Sequence, residues 1–512
     1  MVFSQLFSQN IVTIPFDWSN HNGILFYNGI LLSNQAWSSG ILQFDGSYSA
    51  YPLRFDGKVR NKTLINELGE LPQFSQLPDS SSSISYFDYA RGDYGLDILD
   101  LGVDYSAKNN FLKLSAFKRS TMGNFAHYIH PLIQNNPIHQ SYRIDYSNYN
   151  ADERIELSAG RYITKSGIPD LLQNGYENDN IFNSALRYQK KYNNWTINSY
   201  ASQFSQNRIL IHSAYSDSSS QFINSTVFDL QIENKKGYHF GINQKFHQLN
   251  KASNFRPLKW SSVYIKKDFD NLFLMGGTQI SDKELYQPFI FSFVYKNSFN
   301  LGRIKFESFG QSRPTHPQKA YENEFESRLR SSLFYDLKFN NLFIQSYVTN
   351  LALSADSLYS NTFSYAGINT SYAFSDEWRV YSNIFSLVNS SIENQFGMKI
   401  ESGLMGALKI FSGNMIINFH IWSDYYQNNN SDFSFDPYMQ YQHENYKENY
   451  EIINRSVNNI ELEANVSGVL LNLKILNLLN FIDSSKSTFK PNAAYPEIGR
   501  MVQFGVRWYF EN

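Results

Sequence analysis

Asn459-Ile460-Glu461-Leu462-Glu463-Ala464-Asn465-Val466 alternates without a break between apolar and polar residues. Successive side chains of a β-strand point to opposite faces, so Ile460, Leu462, Ala464 and Val466 share one face and Asn459, Glu461, Glu463 and Asn465 the other. The chain end repeats the pattern over Gly499–Phe510: Val502, Phe504, Val506, Trp508 and Phe510 oppose Gln503, Gly505 and Arg507. Leu99, Leu101, Val103 and Tyr105 alternate with Asp100, Gly102 and Asp104, and Ile304 and Phe306 with Arg303, Lys305 and Glu307. Period-two segments recur from about Ile84 to the end, while helical spacing is scarce. In a water-soluble sandwich the charged face would point outward. Here it is read as lining an interior, with Arg303, Lys305, Glu307, Glu461 and Glu463 as candidate lumen-facing residues and the apolar face turned to lipid.

The connections support that inversion because they fall into two length classes. Short links rich in Asn, Asp, Ser and Gly recur at Ala107–Asn110, Asn150–Asp152, Tyr192–Asn194, Asn234–Gly237, Asp268–Asn271, Asn297–Asn300, Phe339–Asn341, Ser375–Glu377, Ser412–Asn414 and Ser467–Gly468, as tight hairpins require. Between them lie mostly longer polar links, notably Thr121–His139, Ser166–Asn180, Asn207–Asn224, Ser312–Asn323, Gln427–Asn454 and Asn480–Pro496. Short periplasmic turns on one rim and long extracellular loops on the other are the asymmetry of an outer-membrane barrel. Ten short turns flanked by strands, one strand before them (about Ile84–Ala90) and one after (Gly499–Phe510) predict an all-β, antiparallel transmembrane barrel of about 22 strands. Trp195 and Trp378 follow short turns directly and Trp508 lies near the end, which places all three in an aromatic girdle at the short-turn rim.

Composition narrows the class in the same direction. Among 512 residues, 46 acidic side chains face 44 basic ones with no basic block, so no nucleic-acid partner is expected. The most apolar stretch, Val469 to Ile482, is interrupted by Asn472, Lys474, Asn477 and Asn480, which argues against helical spans. With 42 Phe and 36 Tyr the chain has ample apolar surface to bury, against disorder. The absence of cysteine removes disulfides, thiolate metal sites and thiol nucleophiles. The opening MVFSQLFSQN has neither a basic nor an apolar signal region, so no secretory signal is read in it.

Two patches resemble the barrel of the TonB-dependent receptor superfamily of the bacterial outer membrane. Leu476-Asn477-Leu478-Leu479-Asn480-Phe481 is similar to the asparagine-bracketed motif on that family's penultimate strand. Ile498-Gly499-Arg500, leading into Phe504-Gly505-Val506-Arg507-Trp508-Tyr509-Phe510, is similar to its last strand. Phe504, Val506, Trp508 and Phe510 also resemble the signal read by the barrel-assembly machinery, although Glu511 and Asn512 follow the terminal aromatic. The resemblance implies a Gram-negative outer membrane, lipid contact, passage of a solute or nutrient, and TonB or a surface lipoprotein as partners. Family members carry a longer plug before the barrel. Here residues 1–83 form a short segment, read as a reduced plug, extra hairpins of the barrel or a periplasmic extension, and residues 84–512 as the barrel. Asn10-Ile11-Val12-Thr13-Ile14 has the apolar flavour of a TonB-contacting box, Gly23–Leu32 and Gly40–Val59 look like short strands, and Pro78–Ser83 reads as a linker.

No Walker A loop, dinucleotide fingerprint, HExxH motif or GxSxG elbow occurs, so no enzymatic activity, cofactor or metal is expected. His127, His130 and His139 are read as imidazoles of one solvated loop. The aromatic, Asn-rich stretch Tyr425–Tyr450 is read as an external loop, able to bind a glycan or nutrient or simply to cover the mouth. A passive porin and a non-transporting adhesion or assembly scaffold remain alternatives to receptor-like transport.

Overall fold

The computed structural model describes residues 81–122, 138–168, 175–211, 219–251, 254–282, 288–314, 325–355, 359–390, 396–428, 455–481 and 499–511, together with short strands ahead of residue 81 and between 435 and 442. Its strands close into one antiparallel barrel of 22, each paired with its sequence neighbours. The ring is sealed where Met501–Glu511 pairs with Ser82–Gly92, Phe510 opposite Ser85 and Trp508 opposite Phe87. Closure leaves no unpaired edge, which a membrane-spanning sheet requires. No described helix is long and apolar enough to cross a membrane.

The polarity is inverted relative to a water-soluble protein. Leu101, Val103, Leu114, Ile144, Ile265 and Val348 are exposed, while Asp100, Arg143, Asp145, Glu156, Asp229 and Arg328 are buried. The first set lies on the convex outer face and the second lines the lumen, as the alternation requires. At the short-turn rim Trp195 and Trp508 are exposed with Tyr192, Phe269, Phe339 and Phe411. Trp378 stacks between Phe374 and Phe419, with ring centroids 6.4 and 6.2 Å away. The expected girdle is therefore present.

All ten short links are turns between paired strands. Asn193 (φ 52°) and Asn340 (φ 49°) occupy the left-handed region that asparagine tolerates, and Ser467 and Gly468 both do so (φ 50° and 88°), as a type I′ hairpin demands. The long links differ from expectation. Strands from Glu153–Ile168 through Ser219–Asn234 run 16 to 18 residues, so the links expected at 166–180 and 207–224 shrink to 169–174 and 212–218. Beyond the bilayer both faces meet water and the apolar alternation fades, yet each backbone N–H and C=O still finds its partner in the ladder. The same rim also carries the three-residue turn Asp93–Gly95 and a gap of two residues between Lys251 and Asn254, so it is not uniformly long. The first strand begins at Ser82 rather than Ile84: the Ser82 N–H donates to Ser106 Oγ at 3.0 Å, which draws the end of the serine run into the sheet.

Ahead of the barrel, Ile11–Pro15, Gly23–Tyr27 and Ile30–Ser33 form a three-stranded sheet separate from the barrel sheet. Within Gly40–Val59 only Ala50–Tyr51 is a described strand; it pairs with Leu64–Ile65 and lies alongside barrel strand Gly175–Tyr192.

Tyrosines on the lumen side lie across glycines of the neighbouring strand. Tyr264 covers Gly241, Tyr86 covers Gly102 and Tyr347 covers Gly367, each so closely that a Cβ on the glycine would collide with the ring. At the first pair the Tyr264 hydroxyl accepts from Gln231 Nε2 (2.8 Å) and donates to Asp229 Oδ1 (3.2 Å). Gly241→Ala is expected to displace the ring from both bonds and destabilise the barrel by about 1–3 kcal/mol. Urea unfolding in vesicles, with Tyr264→Ala as background, checks this, since the alanine should cost little once the ring is gone.

The orientation is testable because the chain has no cysteine. A cysteine at Asn430 should be labelled by an impermeant reagent on intact cells, and one at Asp376 should not; equal labelling of the two contradicts the assignment of the rims.

Candidate functional site

The lumen wall is not uniform. From Ser82–Gly92 round to Asn254–Asp268 most lumen-side residues away from the turn rim are buried, Asp100 completely, and so is Ser147, three residues from the Asn150–Asp152 turn. They also hold one another: Arg143 and Ser158 donate to Asp145, and Ser147 donates to Glu156 at 3.1 Å. On Phe396–Ile410, Met415–Asn428, Arg455–Val466 and Val469–Leu476 the lumen positions nearer the turn rim are instead partly exposed, among them Asn418, His420, Glu461, Asn472 and Lys474, and Glu401, higher on its strand, is partly exposed as well. The described wall thus has a buried part and a wet sector.

The wet sector is built by alternation in Met415–Asn428, which puts Asn418, His420, Trp422, Asp424 and Tyr426 on one face. His420 Nε2 lies 2.9 Å from the Tyr381 hydroxyl on the next strand but one, and its ring stacks on Trp422 at 4.3 Å. Trp422 Nε1 donates to Asp424 Oδ2 (3.1 Å), and Lys474 Nζ lies 5.6 Å from a Trp422 ring centroid. Buried Lys399 stands 3.4 Å from Asp424 and 3.6 Å from Glu401. Asn459 Nδ2 donates to Asp424 Oδ2 (3.2 Å), while Asn459 Oδ1 accepts the N–H of Asn477 (3.0 Å). The asparagine motif thus has a local structural role: Asn477, buried with φ 53°, ends strand Val469–Leu476 and starts the 3-10 turn Leu478–Phe481.

Two residues singled out in the sequence fall in this sector. Glu461 accepts from Asn472 Nδ2 (2.8 Å) and stands 3.9 Å from Lys474, and Glu463 accepts from Asn418 Nδ2 (3.3 Å). Arg303, Lys305 and Glu307 lie in a different sector, where Arg303 pairs with Asp336 (2.6 Å) and Glu307 with Lys305 (2.6 Å) and Arg330 (3.5 Å). On the last strand Phe504, Trp508 and Phe510 are exposed on the outer face, Val506 shares that face and is partly exposed, and Trp508 stacks on Phe510 at 4.8 Å. The sequence reading passed over Tyr381, Lys399, His420, Trp422 and Asp424, although the alternation in Asn418-Phe419-His420-Ile421-Trp422-Ser423-Asp424 carries the signal for three of them.

His139 is not a solvated-loop imidazole. It begins a barrel strand, is buried, and lies 2.7 Å through Nδ1 from Arg119 Nη2. His127 and His130 lie outside the described residues, and no metal-binding group of three or more acidic or histidine side chains occurs among the described ones. Tyr425 and Tyr426 belong to a strand that continues to Asn428. Most of the Asn-rich stretch beyond it lies outside the described residues.

The chain matches no protein-family profile and no curated protein by sequence. Solved structures do share its fold. The FrpB iron transporter from Neisseria meningitidis superposes with a TM-score of 0.64 at 11% identity, over 84% of this chain and 82% of that one. The ferric yersiniabactin uptake receptor FyuA from Yersinia pestis gives 0.61 at 10% identity, over 85% and 81%. FpvA of P. aeruginosa, solved with heterologous pyoverdines, gives 0.65 at 9% identity, over 98% and 83%. At these identities the likeness is one of fold alone: the chain shares the barrel fold of these iron-transporter and siderophore-receptor structures, with 22 strands of its own.

Proposed function

We propose that this chain is an outer-membrane uptake receptor of Gram-negative type, in which residues 1–81 fill the lumen beside the buried part of the wall and solute passes along the wet sector. The observation that carries the reading is the contrast between the two parts of the wall, with Ser147 fully buried and Asn472 partly exposed at similar depth above the short turns. Two further observations support it. Ala50–Tyr51 lies alongside strand Gly175–Tyr192 of the buried wall, and the likeness to FpvA takes in 98% of the chain, well beyond the barrel that begins at Ser82. The barrels that share the fold belong to iron and ferric-siderophore proteins, which makes a ferric chelate the first solute to test.

Energy coupling would act through the Ile11–Pro15 segment, since an extended apolar strand can add to another protein's sheet edge. Capture of the full chain by a purified TonB periplasmic domain, with loss of capture on Val12→Pro, is the expected result. Steady ion flux through the intact chain without capture would favour a passive porin. Absence of capture, flux and chelate uptake together would favour the adhesion or assembly scaffold. The surface lipoprotein and the barrel-assembly machinery, the latter through Phe504, Val506, Trp508 and Phe510, are the other partners proposed.

A further inference from the structure

The lipid-facing side carries one feature that transport does not use. A groove of about 660 Å³, almost wholly apolar, crosses the outer surface of the strands between Ser82 and Tyr192. It arises from side-chain size in two adjacent cross-strand rows. Ser85, Val103, Leu114, Ile144 and Ala159 are partners in one row, and Leu101, Ala116, Tyr142, Arg161 and Phe182 in the next. Ser85, Ala116 and Ala159 form the floor, and the bulky side chains around them form the banks.

Above the floor the outer face turns basic. Arg161 closes the upper end of the groove, its Nε donating to Asn180 Oδ1 at 3.2 Å. Lys118, Lys165 and Arg91 are exposed on the same outer face of nearby strands. None of the four forms an ion pair among the described residues, and Asp97, the carboxylate facing outward beside Arg91, reaches none of them. Arg161 lies eight residues up its strand from Glu153, and Lys118 eight from Asn110. At about 3.3 Å per residue and a strand tilt near 40°, both stand about 20 Å above the short turns, near the upper edge of an apolar band about 25 Å tall. A cation at mid-depth would be costly, whereas at that edge it meets headgroups.

We propose that this groove is a binding site for an anionic, phosphate-bearing lipid of the leaflet at that edge, with one acyl chain along Ser85, Ala116 and Ala159 and its phosphate held by Arg161 and Lys118. The guanidinium offers a phosphate two parallel N–H donors, and the lysines add charge without directional demand. Charge complementarity selects this occupant: a zwitterionic lipid would gain the groove but not the cations, and a second copy of the chain would have to bury four like charges.

Native mass spectrometry of the full chain in neutral detergent tests the site with phosphatidylglycerol, with phosphatidylcholine of the same acyl chains, and with inorganic phosphate. Phosphatidylglycerol should be retained about tenfold or more tightly than phosphatidylcholine. Arg161→Gln with Lys118→Gln should abolish that preference, and Ala159→Leu should weaken retention of both lipids while keeping the preference. Heat-modifiable migration verifies folding of each variant, and the comparison of lipids on the unaltered chain needs no variant. Equal retention of the two lipids overturns the proposal. So does displacement of phosphatidylglycerol by equimolar inorganic phosphate, which would mean a headgroup site without a groove, or a dimer abolished by Ala159→Leu, which would mean the groove is covered by a second copy.

Discussion

Phe504→Lys is expected to lower the stability of the barrel in lipid vesicles by roughly 2–4 kcal/mol, and Gln503→Lys by much less. Phe504 is more than half exposed on the outer face and pairs with Leu473, well above the Ser467–Gly468 turn, so it lies near mid-bilayer. A lysine there must hold its ammonium in hydrocarbon or stretch it to an interface. Gln503 points into the lumen, on the same face as Arg507, whose Nε donates to Asp88 at 2.8 Å, and an added ammonium there stays hydrated. Urea titration of refolding into vesicles measures both. A reversed order would place the strand one residue out of register, and two harmless substitutions would mean that Met501–Glu511 does not cross a membrane.

Removing residues 1–81 should leave a folded barrel and convert it into a conducting pore. Every strand of the closed ring begins at or after Ser82, and the seam between first and last strands is held by the ladder and the Arg507–Asp88 pair, so closure needs nothing from the deleted segment. A ring of this size without a filling has an aqueous lumen. The truncated chain should keep heat-modifiable migration and conduct on the order of tenfold or more above the intact one in planar bilayers. Failure to fold would make the segment part of the wall. Unchanged conductance would mean that it does not fill the lumen.

The barrel was legible because its two signals are local. Alternation in Asn459–Val466 and Val502–Phe510 gives the faces, and turn residues such as Asn193, Asn340 and Ser467-Gly468 give the hairpins, so strand number followed from counting turns. Strand length was not legible where Glu153–Asn234 rises above the bilayer, because polar residues on both faces look like a loop while the ladder continues through backbone bonds that composition does not encode. The lumen asymmetry was invisible for a different reason. Glu461 and Asp145 look alike as polar strand positions, yet Asp145 is buried between Arg143 and Ser158 of the wall while Glu461 stays partly exposed. His139 was misread because Arg119, its partner, is remote in sequence and meets it only when the two strands pair.

The proposed filling of part of the lumen by residues 1–81 is tested most directly by thiol labelling at two positions of similar depth. In this cysteine-free chain, Asn472→Cys lies on the wet wall and Ser147→Cys on the buried one, each a few residues above a short turn. With the full chain in vesicles that expose the short-turn rim, a small impermeant reagent should label Asn472→Cys rapidly and leave Ser147→Cys protected until residues 1–81 are removed. Equal labelling of both in the intact chain would mean an open pore, and protection of both would mean that no passage runs along this wall.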